Sequence, residues 1–165
     1  MSELSQILDA AEAMAARGEP MALATVVATR GSTYRRAGAR LLVPAEGEPM
    51  GNISGGCLEG DVARIGREVI ASGEARTVEF DMTADDDAVW GYGLGCNGAI
   101  ELFVEPTGGA LESVAALRSG QGSCLVIPLT GPDAGLHLLE ADGGPLHVVR
   151  LRRDERRARL PSCLS

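Results

Sequence analysis

The stretch GNISGGCLEGD, residues 51–61, most constrains how this chain can fold. Gly51, Gly55 and Gly56 fall within six residues and lead directly into a run of apolar positions. Leu58, Val62, Ile65, Val69 and Ile70 recur at helical spacing, so the glycine loop must feed a helix that buries one face. Glycine is the residue for backbone conformations that other residues avoid and for close approach to a ligand. Cys57 then falls at or next to the helix N-terminus, where the helix dipole favours a thiolate. A buried small cysteine in a tight loop is the plainer alternative. A core cysteine does not need glycines on its approach, however, and Gly55, Gly56 and Cys57 are therefore candidate site residues. Glu59 and Asp61 sit in the first turn, where acidic residues also stabilise the helix itself.

Two further segments have a similar character. In ATRGSTYRRAGAR, residues 28–40, a strand delivers the chain into Gly31, Ser32 and Thr33, with Arg30, Arg35, Arg36 and Arg40 around them. Hydroxyls, backbone N–H groups and guanidinium forks suit an oxyanion such as phosphate. A polar turn with arginines facing water accounts for the same residues and is favoured when the segment is taken alone. In DDDAVWGYGLGCNGAIELFVEP, residues 85–106, Gly93, Gly95 and Gly98 make a formal GxGxxG. The dinucleotide fingerprint needs a strand before it and a helix after it, whereas here acidic residues precede and a strand-like run follows. The Rossmann reading is rejected. A glycine loop remains that presents Cys96 beside Asn97, near Trp90 and Tyr92, whose rings suit a flat heterocycle.

The rest of the chain sets bounds. Its 165 residues fit one domain with a sufficient core, and the residues are 45% hydrophobic but only 3% aromatic, so that core is aliphatic. Net charge is −8, which argues against nucleic-acid or membrane-surface partners. All the basic residues are arginines, so neither Schiff-base lysine chemistry nor a phosphate-loop lysine is available. The two histidines, His137 and His147, lie outside all three segments. Without a general base among these loops, binding or transfer is favoured over turnover. Four cysteines without a CxxC pair make a structural zinc site a weak reading. The N-terminus reads as an amphipathic helix rather than a signal peptide, and a cytoplasmic location is expected.

Helical spacing from Leu4 to Ala15, strands at 21–29, 38–45, 75–82 and 98–106, helices after Cys57 and at 109–120, and short strands over 123–151 alternate without a βαβ rhythm. The expected class is α+β: a single domain with a mixed or largely antiparallel sheet and about three helices. The domain is placed at 1–150, with 151–165 an arginine-rich tail or a stub leading to something further.

The segments ATVVATRGSTYRRAGARLLV, GNISGGCLEGDV and DAVWGYGLGCNGAIELFVEP closely resemble, in this order, the N-terminal domain of the XdhC/CoxI family. Members of that family are maturation factors for molybdenum hydroxylases. The resemblance implies a chain that binds molybdenum cofactor (molybdopterin), assists its sulfuration and delivers it to an apo molybdenum hydroxylase of xanthine dehydrogenase or carbon monoxide dehydrogenase type. A cysteine desulfurase is a further implied partner. Carried over residue by residue, the cofactor site comprises Gly55, Gly56, Cys57 and Glu59 with Gly95, Cys96 and Asn97. Cys57 and Cys96 then face the molybdenum, while the composition of the 28–40 loop, rather than the resemblance, points to Arg35 or Arg36, with Ser32, for the terminal phosphate. Typical members continue into a Rossmann-like domain that these 165 residues do not include. Two other readings stand beside this one: a cysteine-dependent sulfur-transfer or redox enzyme, and an interaction domain whose cysteines are packing residues. A homodimer that completes the site across an interface is compatible with loops drawn from separate segments.

Overall fold

The computed structural model describes residues 2–82 and 98–119, apart from the side chains of 116 and 119, and 123–128, 136–141 and 147–151 as backbone strands. The first helix, α1, spans Glu3–Ala16 and is capped by the Ser2 hydroxyl, which accepts the N–H of Ser5 at 3.1 Å. Its apolar positions Ile7, Leu8, Ala11 and Met14 are buried, as the 3.6-residue spacing requires. Strands β1 (Met21–Gly31), β2 (Arg40–Pro44) and the two-residue β3 (Met50–Gly51) follow. Helix α2 (Glu59–Ser72) ends on Gly73 in the left-handed conformation. Then come β4 (Arg76–Asp81), β5 (Gly98–Pro106), α3 (Thr107–Ser119), and β6 (Ser123–Pro128), β7 (Leu136–Ala141) and β8 (His147–Leu151).

Five strands form one sheet in the order β3-β2-β1-β5-β4, and the last three form a second in the order β6-β7-β8. All pairings among the described residues are antiparallel. The class is α+β, with three helices on a largely antiparallel framework, as the alternation of elements leads one to expect.

Central strand β1 is buried from Met21 to Val27, and its alternate residues divide the core in two. Ala22, Ala24 and Val26 face Leu58, Val62, Ile65 and Val69 of the α2 region. Met21 and Leu23 face Ile7, Leu8 and Ala11 of α1 and Ala110 and Val114 of α3. Each large aliphatic side chain removed from water in this way contributes roughly 1.5–3 kcal/mol. Helix α2 lies unusually close to β2, because a Cβ at Gly66 would come within 2.9 Å of the Val43 side chain.

Arg40, which the sequence groups with the arginines of the polar loop, is instead the first residue of β2 and only 4% exposed. Its register partner on β1 is Thr25. One guanidinium nitrogen donates to the Gly38 carbonyl at 2.8 Å, while Nε and the second terminal nitrogen are buried without a partner, as is the Thr25 hydroxyl. Glu105 of β5 is 7% exposed, pairs in register with Leu23, and accepts a 2.8 Å hydrogen bond from Ser113 of α3. Burial lowers the Arg40 pKa to about 10, against the attraction of Glu105, and leaves the group charged at neutral pH. Burial likewise pushes Glu105 up to about 7, despite the Ser113 bond and the attraction of Arg40, and the charge of Glu112 adds to the rise.

Candidate functional site

The backbone of GNISGGC turns sharply outward before α2, with Gly51, Gly55 and Gly56 all at positive φ. One side chain holds that course. The Glu59 carboxylate accepts the backbone N–H groups of Ile53 at 3.0 Å, Ser54 at 2.9 Å, Gly56 at 2.9 Å and Leu58 at 3.2 Å, together with the Ser54 hydroxyl. Ser54 also accepts the Leu58 N–H at 2.8 Å, and Asn52 Oδ1 accepts the Gly55 N–H at 2.8 Å. Donors that would otherwise be orphaned at the helix start are thus satisfied from within the loop. Burial alone would raise the pKa of Glu59. The bonds from Ser54 and from the backbone of Ile53 and Ser54 outweigh it and hold the carboxyl below its ordinary value.

The loop is anchored by burying its ends and exposing its tip. Ile53, Ser54 and Leu58 are buried, whereas Gly55, Gly56 and Cys57 are exposed. The Cys57 thiol is free and lies immediately outside the helix, whose N-cap is Leu58. A solvent-facing thiol on a loop with this much internal bonding is available as a soft ligand or nucleophile.

The arginine-rich loop lies against this one. The ring of Tyr34 covers Gly55 so closely that a Cβ there would fall 2.9, 3.0 and 3.1 Å from Cδ1, Cγ and Cε1. Arg35 crosses between the loops: its Nε donates to the Asn52 carbonyl at 3.1 Å, and its guanidinium pairs with Glu3 at the start of α1. Ser32 and Arg36 are exposed. The two candidate arginines therefore differ, because Arg35 is committed to the scaffold while the described residues show no side-chain partner for Arg36.

The start of β5 reaches the same place. Gly31 and Gly98 are register partners, and a Cβ on Gly98 would meet the carbonyl oxygens of Arg30 at 2.5 Å and Ser32 at 2.6 Å. Residue 98 is the last glycine of the GxGxxG in the third segment, so the stretch 30–34 of the first segment touches the other two, at Gly98 and, through Tyr34, at Gly55. Gly95, Cys96 and Asn97, like Trp90 and Tyr92, lie outside the described residues. Of the remaining cysteines, Cys124 falls on β6, and His137 and His147 fall on β7 and β8. Sequence reasoning passes over Tyr34. Its signal is an aromatic placed in a polar loop by a chain with few aromatics.

Residues 14–81, which include the first two of these loops, match the model of the XdhC and CoxI family. Residues 14–81 belong to the XdhC and CoxI family. The chain is 42% identical over 90 residues to a Bacillus subtilis (strain 168) protein described as a probable xanthine dehydrogenase subunit, covering 53% of this chain and 26% of the relative. It is 31% identical over 101 residues to the molybdenum cofactor insertion chaperone PaoD of Escherichia coli (strain K12), covering 61% of this chain and 31% of that protein. A crystal structure described as a xanthine dehydrogenase from Bacillus halodurans superposes with a TM-score of 0.63 at 30% identity, covering 90% of this chain and 45% of its own. The chain thus spans about a quarter to a third of the length of these curated relatives and less than half of the solved one. No helix among the described residues is long and apolar enough to cross a membrane.

Proposed function

We propose that this chain binds molybdenum cofactor as cargo and presents it for insertion into an apo molybdenum hydroxylase. The observation that carries this reading is the exposed Cys57 on a loop braced by Glu59, with the arginine-rich loop packed against it. The chain's similarity to a molybdenum cofactor insertion chaperone supports this choice of cargo. Thiolate sulfur is a good ligand for a soft or thiophilic metal centre, and an uncommitted guanidinium is a good ligand for a terminal phosphate. In this reading Cys57 meets the metal end and Arg36, with Ser32, the phosphate. Gly55 and Gly56 let the backbone approach the cargo, while Glu59 holds the loop in place. Cys96, with Gly95 and Asn97, supplies the second thiolate from the segment that leads into Gly98.

Among the described residues no group of three or more His, Cys, Asp or Glu side chains could form a metal cage. A site that grips organic parts of the cargo and touches its metal with one or two thiolates suits transient holding better than permanent residence. Sulfuration of the cofactor, a cysteine desulfurase as sulfur donor, the choice between xanthine dehydrogenase and carbon monoxide dehydrogenase types, a homodimer and a cytoplasmic location all belong to this proposal.

The test is metal and pterin analysis of the purified chain after exposure to molybdenum cofactor, for wild type, Cys57→Ser and Cys96→Ser. Stoichiometric binding that is lost in either variant is expected. Well-folded wild type that retains neither metal nor pterin would overturn the proposal. Repeated turnover of a sulfur donor without any hydroxylase present would instead support a sulfur-transfer enzyme.

A further inference from the structure

We infer that Tyr34 is the platform on which the flat ring system of the cargo stacks. The inference deepens the cofactor-binding reading above and rests on it. Tyr34 and Met50 are the large apolar side chains left exposed among the described residues, and Tyr34 is 67% exposed. Met50 lies on the short edge strand β3, pairs there with Leu42, and is less exposed at 42%. Tyr34 lies in the candidate site, with its ring against Gly55, two residues before Cys57 in the chain. Arg36, the exposed arginine of the same loop, follows two residues after it.

An aromatic side chain at such exposure ordinarily gains little for the fold. Here one part of the ring is backed by the Gly55 backbone, which restricts its motion, while most of its surface stays open. A ring held in this way loses little further freedom when a second flat group covers it, which is the condition under which stacking is most effective. Gly55 contributes to the same arrangement. Its missing side chain allows the ring to settle on the loop, and its positive φ is one that other residues rarely adopt. The loops thus offer three kinds of contact: sulfur at Cys57, a flat apolar face at Tyr34 and a cation at Arg36. A pterin bearing a metal and a phosphate has a use for each.

The experiment measures dissociation constants of the full chain for a metal-free pterin, pterin-6-carboxylate, and for molybdenum cofactor. It compares wild type, Tyr34→Ala, Tyr34→Phe and Cys57→Ser, and follows Cys57 alkylation by iodoacetamide alongside. Loss of one aromatic–heterocycle stack corresponds to about tenfold in affinity. Tyr34→Ala is expected to weaken both ligands by that factor, and Tyr34→Phe to stay within about twofold of wild type, because the ring rather than the hydroxyl stacks. Cys57→Ser is expected to weaken the cofactor and spare the metal-free pterin. An unchanged Cys57 alkylation rate in Tyr34→Ala would show that the loop itself is intact. Equal cofactor binding by wild type and Tyr34→Ala overturns the platform while leaving the cofactor reading in place. A changed alkylation rate that accompanies the lost affinity also overturns it, by making Tyr34 a support for the loop. Wild type that binds neither ligand overturns both readings.

Discussion

The Glu59 carboxylate accepts the backbone N–H of Gly56 at 2.9 Å, so the exposed tip of the glycine loop hangs from the first residue of the helix it precedes. The same carboxylate takes the N–H groups of Ile53, Ser54 and Leu58, and Ile53 and Leu58 are fully buried. Truncation to Glu59→Ala leaves the buried N–H groups of Ile53 and Ser54 without an acceptor, while that of Leu58 keeps the Ser54 hydroxyl, at a cost of roughly 2–3 kcal/mol. Urea unfolding should show that loss, and Glu59→Gln, which keeps one acceptor oxygen, should lose less. An alanine variant with the wild-type midpoint would mean that the loop does not depend on this residue.

Glu59 and Glu105 give stability opposite slopes with pH. Glu59 is held below its ordinary value, so its contribution is present above the unfolded pKa and is lost as pH falls through the folded one. Glu105 is raised from 4.5 to about 7, so its contribution is complete below 4.5 and is lost as pH rises through about 7. A shift of that size corresponds to roughly 3 kcal/mol between the two limits. Glu105→Gln has no proton to lose, and its urea midpoint should stay level between pH 5 and pH 8 while that of wild type declines. Parallel profiles for the two proteins would show that Glu105 is not the group responsible.

Much of this fold is legible in the sequence, because hydrophobic period and glycine punctuation agree. The stripe Leu58, Val62, Ile65 and Val69 is the buried face of α2, and the β-branched run after Met21 is the central strand. What escapes sequence reading depends on partners distant in the chain. Strand β3 is two residues long and exists because Leu41 and Leu42 offer it a ladder. Helix α3 starts at Thr107, ahead of the expected Gly109. There the Thr107 hydroxyl donates to the Met21 carbonyl at 3.0 Å and accepts the Met21 N–H at 3.1 Å. Charged residues mislead in the same way. Arg40 falls both in the arginine-rich segment and in the expected strand 38–45, and nothing in the sequence shows that its side chain is buried beside Thr25 rather than turned to a ligand. Glu59 reads equally well as a ligand or as an ordinary first-turn acid. Only the folded loop shows its carboxylate turned back onto its own backbone.

Gly55 and Gly56 share a positive φ but differ in their surroundings, which predicts unequal costs of alanine. At Gly56 a Cβ meets nothing within 4 Å, so Gly56→Ala should cost only the left-handed backbone penalty of about 1–2 kcal/mol. At Gly55 the new methyl also collides with the Tyr34 ring. Gly55→Ala should therefore be the more destabilising of the two, and adding Tyr34→Ala should relieve the excess. A double-mutant cycle in urea measures that relief directly. Additive effects would mean that the ring simply swings clear.

Arg35 and Arg36 are neighbours in sequence with different attachments, so removing each should affect a different property. Arg35 bonds the Asn52 carbonyl and pairs with Glu3, tying both loops to the start of α1. The ion pair is partly exposed and is worth less than about 1 kcal/mol, with a comparable contribution from the hydrogen bond. Arg35→Ala should lower the urea midpoint accordingly, and the ion-pair share of that loss should shrink at high salt. Arg36 is exposed, so Arg36→Ala should leave the midpoint within about 0.5 kcal/mol of wild type. If Arg36 holds the terminal phosphate of the cargo, the same substitution should weaken molybdenum cofactor binding about tenfold, in line with a lost charge-assisted bond. The decisive comparison uses a cofactor form from which the phosphate has been removed. Wild type and Arg36→Ala should bind that form equally, because the guanidinium then has nothing to grip. A variant that still binds the dephosphorylated form more weakly than wild type would show that Arg36 acts on some other part of the ligand. Equal binding of intact cofactor by both proteins would show that the phosphate is held elsewhere, and Arg35→Ala would be the next protein to titrate.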